Sequence, residues 1–281
     1  MKFSQKFGIS QGRLVTNSQG LLQHFPQDNW QKEFKIASSI GLSFIELLAE
    51  RKYNPTNPLW SEEGRNLIEY ERVKNGLEIY SLCADFIIDI SLLGKNSKTA
   101  ISLMQDLVNV VKSLSCKIVV LPFLEKNNLT KSNMLEYIPI IRDFSEFFYE
   151  TNTIIALETL LNAKDLKELI QKINRTNVKC VFDTGNRINF KESLYEEILV
   201  LNELITHIHI KDKDINDTNV ILGTGLVNFN SVFSALKKIN YNGNFNFETT
   251  RGNNPEQTAI YNLNLCNFFI KENSLNVQHA K

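Results

Sequence analysis

Three carboxylates and one imidazole each stand at or near the end of a short apolar run, and side chains of these types bind metal ions. The residues are Glu158, Asp183, His209 and Glu248. Their oxygens and ring nitrogen suit a divalent cation of hard to borderline character. Three carboxylates that converge in a low-dielectric site repel one another unless a cation compensates their charge. The four residues therefore predict a centre for one divalent metal ion, with Mn²⁺ favoured over Mg²⁺, Co²⁺ or Zn²⁺.

The apolar runs have the length of buried β-strands, and the segments between them have helical periodicity. Eight strand and helix pairs can be counted, and the last helix has Asn254 as its cap and Pro255 in its first turn. Pro139 lies inside the helical pattern after the fourth strand, and it predicts a break or a late start there. The sequence therefore predicts one α/β catalytic domain over residues 1–271 and a flexible polar tail over residues 272–281.

An open doubly wound sheet would also alternate strands with helices, so the alternation alone does not establish a closed barrel. However, no GxGxxG motif follows the first strand, and no GxxxxGK[ST] motif occurs anywhere. Polar residues also end strands one, two, three, five, six, seven and eight, and these ends meet only if the sheet closes. The predicted fold class is therefore a single (β/α)8 TIM barrel, in which the strand ends form one mouth.

Lysine and arginine together number 31, as do aspartate and glutamate, so no excess charge favours nucleic acid or an anionic membrane surface. No stretch has the character of a signal peptide or a membrane span, which predicts a cytoplasmic protein without a membrane partner. Cys83, Cys116, Cys180 and Cys266 lie far apart without a CxxC pair. We expect them to be reduced and buried.

Eight further residues near the predicted mouth are candidates for substrate binding: Arg13, Glu46, Asp85, Asn186, Lys211, Gly223, Gly225 and Arg251. Arg13 and the turn that contains Gly223 and Gly225 could bind a phosphate or carboxylate through a guanidinium group and backbone amides. The alternative is a structural turn and a surface arginine. Arg251 could cover the substrate, or it could pair with a carboxylate.

The positions of the remaining candidates along the strands leave further alternatives open. Glu46, at the end of strand two, and Asp85, just after strand three, could contact a substrate hydroxyl or form structural ion pairs. His207 and His209 face the same side of strand seven, and we expect His207 to be a core histidine satisfied by a neighbour. Lys211 is assigned the opposite phase to His209, so we expect it to point outward unless the strand ends before it.

Nine motifs follow one another over nearly the whole chain: GISQGRL, FPQDNWQKEFKIASSIGLSFIEL, SLCADF, VVLPFLEKN, IALETLL, VFDTGNR, HIHIKD, LGTGLVNF and FNFETTR. In this order, the sequence resembles the xylose-isomerase-like family of sugar and sugar-phosphate isomerases and epimerases, which are (β/α)8 barrels. The resemblance implies one divalent metal ion held by Glu158, Asp183, His209 and Glu248. It also implies a small carbohydrate partner, phosphorylated or not, and a homo-oligomer is compatible with it.

Two positions depart from the ketose epimerases of that family. These enzymes have a histidine three residues after the metal-binding aspartate, where this chain has Asn186. They also have an arginine six residues after the metal-binding histidine, where this chain has Ile215. An asparagine can ligate a metal or hydrogen-bond a hydroxyl, but it cannot carry a proton near neutral pH. The sequence therefore looks like a divergent branch, to which the exact substrate of those enzymes does not transfer.

The expected activity is isomerisation or epimerisation of a keto-sugar or sugar phosphate, by proton transfer through a metal-stabilised enediolate. Glu158 and Glu248 would flank the substrate as the acid/base pair, while Asp183 and His209 mainly hold the metal. The alternatives are dehydration of a polyol ketone at the same site, as in inosose dehydratase, and a sugar-binding barrel without catalysis. Phosphodiester cleavage of the endonuclease IV kind is disfavoured, because that chemistry uses a histidine-rich multi-zinc cluster.

Overall fold

Eight parallel strands close into a barrel in the computed structural model, which describes residues 5–16, 20–94, 97–188 and 193–275. Each strand pairs with the next along the chain, and the first pairs with the eighth. The predicted (β/α)8 barrel is therefore confirmed. The strands are β1 (Phe7–Ser10), β2 (Phe44–Ala49), β3 (Ser81–Ala84), β4 (Ile118–Phe123), β5 (Ile154–Thr159), β6 (Val178–Asp183), β7 (Ile205–Ile210) and β8 (Asn244–Phe247).

Helices follow the strands, and one additional short helix comes directly after β3. The α-helices of the described residues are α1 (Trp30–Ser39), α2 (Glu62–Asn75), α3 (Phe86–Asp89), α4 (Ser97–Leu114), α5 (Ile138–Phe147), α6 (Ala163–Ile173), α7 (Leu194–Leu201), α8 (Phe229–Lys238) and α9 (Pro255–Leu275). Short 3₁₀ turns precede or follow several of them. None of the described helices is both long enough and apolar enough to cross a membrane.

Local sequence signals account for where several helices begin and end. Asn254 caps α9, since its side-chain oxygen accepts a hydrogen bond from the backbone of Gln257 at 3.1 Å. The chain forms a 3₁₀ turn at Met134–Tyr137, and α5 starts at Ile138, so Pro139 occupies the first turn, where no backbone donor is needed. The predicted late start is confirmed.

The predicted boundary at residue 271 falls inside α9, which continues to Leu275. Residues 276–281, the rest of the predicted tail, lie outside the described residues. The four cysteines are buried and free, as predicted.

Apolar side chains pack on both sides of the strands. The larger core lies between the barrel and its helices, while a smaller cluster of opposite strand phase fills the interior, formed by Leu48, Cys83, Ile118, Val120, Ala156 and Val181. Strand residues alternate between these layers, so Glu158 and Asp183 share the inward phase of Ala156 and Val181. The alternation thus directs carboxylates into the barrel mouth, above its apolar interior.

Candidate metal centre and active site

Four side chains meet at the C-terminal mouth of the barrel. Glu158 lies near the end of β5, Asp183 ends β6, His209 lies in β7 and Glu248 directly follows β8. Each offers a ligand atom, and these atoms all lie within 4.8 Å of one another. All four side chains are buried. The structure therefore brings together the four residues that the sequence predicts as metal ligands.

The two nitrogens of His209 face different groups. Its Nδ1 lies 3.1 Å from Glu248 Oε2 and 3.8 Å from Glu158 Oε2, inside the ligand cluster. Its Nε2 lies 3.1 Å from Glu46 Oε1, on the opposite side of the ring. A metal-binding imidazole commonly donates its other N–H group to a carboxylate, which fixes the ring. The geometry thus assigns Nδ1 to the metal side and Nε2 to Glu46.

Glu46 lies below the four candidate ligands, in the middle of β2, because that strand continues to Ala49. Its carboxylate accepts hydrogen bonds from Ser81 Oγ at 2.7 Å and Asn246 Nδ2 at 3.0 Å, and it lies 2.9 Å from His207 Nε2. These contacts support the structural ion pair rather than the substrate contact, the two roles that the sequence left open. His207 is buried, as the sequence predicts, and Glu46 satisfies its Nε2, whereas no hydrogen bond to its Nδ1 is found among the described residues.

The surroundings of Glu46 decide its protonation state. Burial alone would raise the pKa of this carboxyl, but His209 and His207 outweigh burial and hold the pKa well below its ordinary value. The carboxylate therefore stays ionised and available as an acceptor for both rings. It links β2 to β3, β7 and β8 directly beneath the metal centre.

Lys211 points into the centre. The sequence predicted an outward direction unless the strand ended before Lys211, and β7 does end at Ile210. Its Nζ lies 2.9 Å from Asp183 Oδ2 and 2.9 Å from Glu248 Oε2. Residues 209 and 211 are two apart, so an extended chain places them on the same face, and the phase assigned from the sequence was incorrect. Burial lowers the pKa of Lys211, but Asp183, Glu248 and Glu158 outweigh burial and raise it. The ammonium therefore remains charged beside the carboxylates.

The two glutamates each turn a second oxygen away from His209. Glu158 Oε1 accepts a hydrogen bond from Asn186 Nδ2 at 2.9 Å, whereas Glu248 Oε1 lies 3.5 Å from Arg13 Nη2. Asn186 Nδ2 also lies 3.2 Å from Asp183 Oδ2. A neutral amide thus faces one glutamate, and a guanidinium group faces the other.

This difference separates the two acids electrostatically. Burial, reinforced by Glu248 and Asp183, raises the pKa of Glu158 to about 8. Burial also acts on Glu248, but Lys211, His209 and Arg13 outweigh it and hold the pKa of this carboxyl well below its ordinary value. Within the cluster, negative charge on Glu158 is the least compensated by the protein.

The donor set fits one divalent cation. Three carboxylates and one neutral imidazole nitrogen provide four ligands of suitable type and spacing. The site already draws the Lys211 ammonium between two of its carboxylates, and burial of Glu158 raises its pKa, so a cation there would stabilise its ionised form. These residues do not select one metal among Mn²⁺, Mg²⁺, Co²⁺ and Zn²⁺.

The turn that contains Gly223 and Gly225 binds a carboxylate of the protein itself. The amides of both glycines donate to Asp212 Oδ2 at 2.9 Å, and the amide of Val227 donates to Asp212 Oδ1 at 3.0 Å. A Cβ atom at Gly225 would lie 2.3 Å from Asp212 Oδ1, which explains the need for glycine. The contacts support the alternative role, a structural turn, because the amides predicted to bind an anion are engaged.

Arg251 fastens the loop after β1 to the end of β8. Its guanidinium group donates to four backbone carbonyls of that loop, those of Gly12, Gly20, Leu21 and Leu22. The sequence left open that Arg251 pairs with a carboxylate. Among the described residues, no hydrogen bond or ion pair joins Arg251 to a carboxylate. The contacts support a structural role beside the mouth.

Glu33 anchors the same loop from the other side, and sequence reasoning missed it. The buried carboxylate accepts hydrogen bonds from the amides of Gly12 at 2.9 Å and Leu14 at 3.0 Å. Burial raises the pKa of Glu33 to about 7, although these amides lower it. Its position three residues after Trp30 and four before Ala37, both on the buried face of α1, is the signal that could have identified it.

A second buried ion pair supports the loop after Glu158. Arg187 Nε lies 2.6 Å from Glu197 Oε2, and Arg187 Nη2 donates to the carbonyl of Leu161 at 2.9 Å. Glu197 Oε1 accepts a hydrogen bond from the amide of Ala163 at 3.1 Å. Sequence reasoning also missed this pair, since the motif VFDTGNR carries Arg187 without indicating its partner.

Asp85 directly follows β3, so it lies near the mouth of the barrel, and it is buried. The thiol of Cys83 donates to Asp85 Oδ1 at 3.1 Å. Burial raises the pKa of Asp85 to about 6, against the opposing effects of Cys83, Gln23 and Arg13. Its contacts favour neither of the roles that the sequence left open.

A cavity of about 460 Å³ lies among the loops after β1, β2 and β3, at the same end of the barrel as the candidate ligands. One of its lining residues, Gln23, accepts a hydrogen bond from Arg13 Nη2 at 2.7 Å, and the same nitrogen faces Glu248. The buried Arg13 side chain thus contacts both a cavity residue and the cluster. The cavity is lined by Leu21, Gln23, His24, Glu50, Arg51, Lys52, Tyr53, Asn54, Pro55 and Asp89.

Comparison with known proteins connects the chain to carbohydrate enzymes. The sequence profile of the xylose isomerase-like TIM barrel matches residues 34–267. The Haemophilus influenzae protein SgbU, whose name assigns it L-ribulose-5-phosphate 3-epimerase activity, is 22% identical over 245 residues, covering 81% of this chain and 86% of that protein.

Two solved structures share the fold. An L-ribulose 3-epimerase superposes with a TM-score of 0.78 at 14% identity, over 99% of this chain and 98% of the other. The protein IOLI, solved with a bound zinc atom, superposes with a TM-score of 0.72 at 18% identity, over 97% of each chain. At these identities, the superpositions establish a common fold.

Proposed function

Because the chain belongs to the xylose isomerase-like TIM barrel family, we propose that it is a divalent-metal-dependent isomerase or epimerase of a keto-sugar or sugar phosphate. The observation that carries the proposal is the cluster of four candidate ligands within 4.8 Å at the barrel mouth. It combines a cation-binding set with two glutamates that each turn a second oxygen outward. The predicted cytoplasmic location and homo-oligomer stay predictions.

The metal would be held by Glu158, Asp183, Glu248 and Nδ1 of His209. When bound, a divalent cation supplies positive charge that stabilises the negative charge developing on the substrate carbonyl oxygen as a neighbouring carbon loses its proton. Glu46 would keep the His209 ring in its orientation from below, through Nε2. Lys211 would pair with Asp183 and keep Glu248 ionised.

Glu158 and Glu248 would transfer the proton. They come from β5 and from the end of β8, three strands apart around the barrel, so they approach the centre from different sides. One glutamate oxygen would remove the proton beside the carbonyl. The other would return a proton to the opposite face for epimerisation, or to the adjacent carbon for isomerisation.

Asn186 would act by positioning rather than by proton transfer. Its amide donates to Glu158 Oε1 at 2.9 Å, the oxygen that faces away from His209. Since an amide has no titratable proton near neutral pH, the two glutamates are left to carry the exchange. Asn186 would thereby orient Glu158 towards the reacting carbon.

A substrate screen tests the proposal. The protein is stripped of metal, reloaded with Mn²⁺ and incubated with keto-sugars and their phosphates, and products are resolved by chromatography and mass spectrometry. We expect a product of unchanged mass that forms only with metal. Loss of one water from the product would instead indicate the dehydratase, and binding without turnover would indicate the non-catalytic barrel.

Variants identify the acid/base pair in the same assay. Glu158→Gln and Glu248→Gln should each lower kcat at least about 100-fold, since removal of a general acid or base typically costs 10²–10⁴-fold. Glu203→Gln is the matched control, because Glu203 is exposed and precedes β7 at the other end of the barrel. Wild-type activity in either site variant would contradict the assignment.

A further inference from the structure

Asp85 is a buried carboxylate to which the protein gives few partners. It stands before α3, at a position where an aspartate usually caps the helix, yet its side chain makes no capping hydrogen bond. Among the residues that the structure describes, it also forms no ion pair. The hydrogen bond found for its side chain is the weak one from the thiol of Cys83 to Oδ1 at 3.1 Å. These contacts do not explain why a carboxylate is buried here.

The second oxygen of the Asp85 carboxylate is unpaired. Oδ2 is buried and accepts no hydrogen bond from any described residue. Gln23 lies close enough to lower the pKa of Asp85, but burial outweighs it and raises that pKa to about 6. A buried acceptor without a donor costs free energy, and such groups in native proteins commonly serve a ligand or a bound water. The unpaired oxygen therefore indicates a partner from outside the chain.

The strand register places Asp85 close to the metal centre. Cys83 pairs with Val120 of β4, which pairs with Ala156 of β5. Two residues further along each strand, Asp85 is therefore about level with Glu158. Cys83 belongs to the cluster inside the barrel, and its contact with Oδ1 shows that Asp85 lies on the same inward side. Neighbouring strands are about 4.8 Å apart, so β3 and β5 are separated by about 10 Å along the sheet, which a sugar chain can span.

The neighbouring Arg13 favours a hydroxyl as the missing partner. Its Nε is buried and donates to no described residue, whereas its Nη atoms donate to the carbonyl of Leu22 and to Gln23. Its charge lowers the pKa of Asp85, so the two side chains lie within electrostatic reach of each other. A hydroxyl can donate to a carboxylate oxygen and accept from a guanidinium nitrogen, whereas an ammonium group can only donate.

We propose that Asp85 is a specificity-determining residue, whose Oδ2 accepts a hydrogen bond from one substrate hydroxyl remote from the reacting carbon. This inference rests on the proposed function and deepens it, because the configuration of that hydroxyl would decide which sugars are turned over. Asp85 would transfer no proton, since Glu158 and Glu248 do so. A sugar that lacks the hydroxyl, or presents it on the opposite face, leaves the buried carboxylate unpaired, and such analogues are strongly rejected.

The test combines one change in the protein with one change in the sugar. The probe is the ketopentose, ketohexose or phosphate of either that the Mn²⁺-loaded full-length protein turns over fastest in the substrate screen. Its deoxy and epimeric analogues, altered at each carbon beyond the reacting one, are compared in the wild type and in Asp85→Ala. We expect one position at which the alteration lowers kcat/KM of the wild type at least about tenfold, but that of Asp85→Ala less than about threefold.

The outcomes separate this inference from the proposed function. If no position behaves in this way, or if an alteration costs the same in both proteins, Asp85 does not read a hydroxyl and the inference is overturned, while metal-dependent turnover still supports the proposed function. Absence of turnover throughout the screen would overturn both.

A stability measurement distinguishes a substrate contact from a structural one. Asp85→Asn keeps the volume of the side chain and removes a charge that is desolvated and short of partners. We therefore expect the Tm of the Mn²⁺-loaded variant at pH 8 to equal or exceed that of the wild type. Its discrimination at the position found above should also be weaker than in the wild type. A Tm lower by more than about 4 °C would show that Asp85 holds the fold, and it would overturn the inference.

Glu50→Gln is the matched control, because Glu50 is a buried carboxylate at the same end of the neighbouring strand with both oxygens engaged. It directly follows β2 and accepts hydrogen bonds from the amide of Phe25 at 3.3 Å and from Asn54 Nδ2 at 3.0 Å. Its replacement should lower Tm but leave the discrimination between the analogues as large as in the wild type. An equal loss of discrimination in Glu50→Gln and Asp85→Ala would overturn the assignment to Asp85.

Discussion

Replacing Glu46 by glutamine should weaken metal binding, although Glu46 is not one of the four predicted ligands. In the structure, Glu46 Oε2 accepts from Ser81 at 2.7 Å and faces His207 Nε2 at 2.9 Å. Glu46 Oε1 accepts from Asn246 at 3.0 Å and from Ser10 at 3.3 Å, while His209 Nε2 lies 3.1 Å from Oε1 and in hydrogen-bonding geometry 3.3 Å from Oε2. Whichever oxygen becomes an amide NH₂ group, it would face at least two donors.

The size of the effect follows from those contacts. Two buried donors without an acceptor cost about 1–3 kcal/mol each, so we expect the free energy of unfolding to fall by about 2–6 kcal/mol. If the His209 ring loses its partner at Nε2, its Nδ1 is no longer held towards Glu248. Loss of such supporting contacts typically lowers metal affinity about 10–100-fold, or about 1.4–2.7 kcal/mol.

The assay is a titration of metal-stripped protein with Mn²⁺, in which electron paramagnetic resonance reports the free ion. Ser81→Ala is the matched control: it removes a hydrogen bond from Glu46 Oε2 but leaves the contact with His209, so its Kd should stay within about threefold of wild type. In the Zn²⁺-loaded wild type, ¹⁵N resonances should show that His209 keeps its proton on Nε2.

The reasoning would be refuted if Glu46→Gln bound Mn²⁺ as tightly as the wild type, or if the Zn²⁺-loaded protein carried the His209 proton on Nδ1. A variant that loses stability but keeps its metal affinity would show that Glu46 stabilises the barrel without supporting metal binding. Thermal unfolding measured on the same samples separates the two effects.

Three further predictions concern residues around the centre. Lys211→Met removes the ammonium between Asp183 and Glu248, so the metal-free protein should lose about 3–5 kcal/mol and Mn²⁺ should raise its Tm more than in the wild type; an equal rise would contradict this. Glu33 has a folded-state pKa of about 7, above its unfolded value, so its stabilising contribution is complete below about pH 4.5 and is lost as pH rises towards 7. Urea unfolding of Glu33→Gln should therefore show a flatter decline between these pH values, and an unchanged slope would refute the assignment. Gly225→Ala should cost about 1–3 kcal/mol, because the new Cβ would lie 2.3 Å from Asp212 Oδ1; an unchanged Tm would show that the turn can shift.

The fold could be predicted because its signals are local and repeated. Each strand is an apolar run of the right length, and each helix has its own periodicity and caps, so eight units could be counted from the sequence. The positions of Glu158, Asp183 and His209 at or near strand ends also predicted that they lie at one mouth of the barrel. The closed sheet then brought them together, although their role as ligands remains a prediction.

The residues whose roles the sequence left open depend on partners far away in the sequence. Glu46 contacts His207, 161 positions later, and no local pattern reveals such a pair. Asp212 occupies the glycine-turn amides that looked ready for an anion. The polar residues at the barrel mouth therefore indicated where the site lies. Their contacts in the structure were needed to distinguish residues that support the site from residues that could bind a substrate.

The phase of Lys211 was misjudged. Residues two apart on an extended chain face the same side, so its direction could have been predicted from His209 with the correct phase. That its ammonium lies 2.9 Å from two candidate metal ligands could not, because strand length and loop direction at the end of β7 decide the reach of the side chain. The sequence thus determines which side of the chain Lys211 faces, but not that Lys211 contacts Asp183 and Glu248.

The most direct test of the central claim, metal-dependent proton transfer by Glu158 and Glu248, is turnover of a keto-sugar in D₂O by the Mn²⁺-loaded protein. We predict that mass spectrometry and NMR will find deuterium at the carbon beside the carbonyl, and that removal of the metal, Glu158→Gln or Glu248→Gln will abolish both turnover and exchange. Product formed without any solvent deuterium, or exchange that persists in both glutamine variants, would contradict the account.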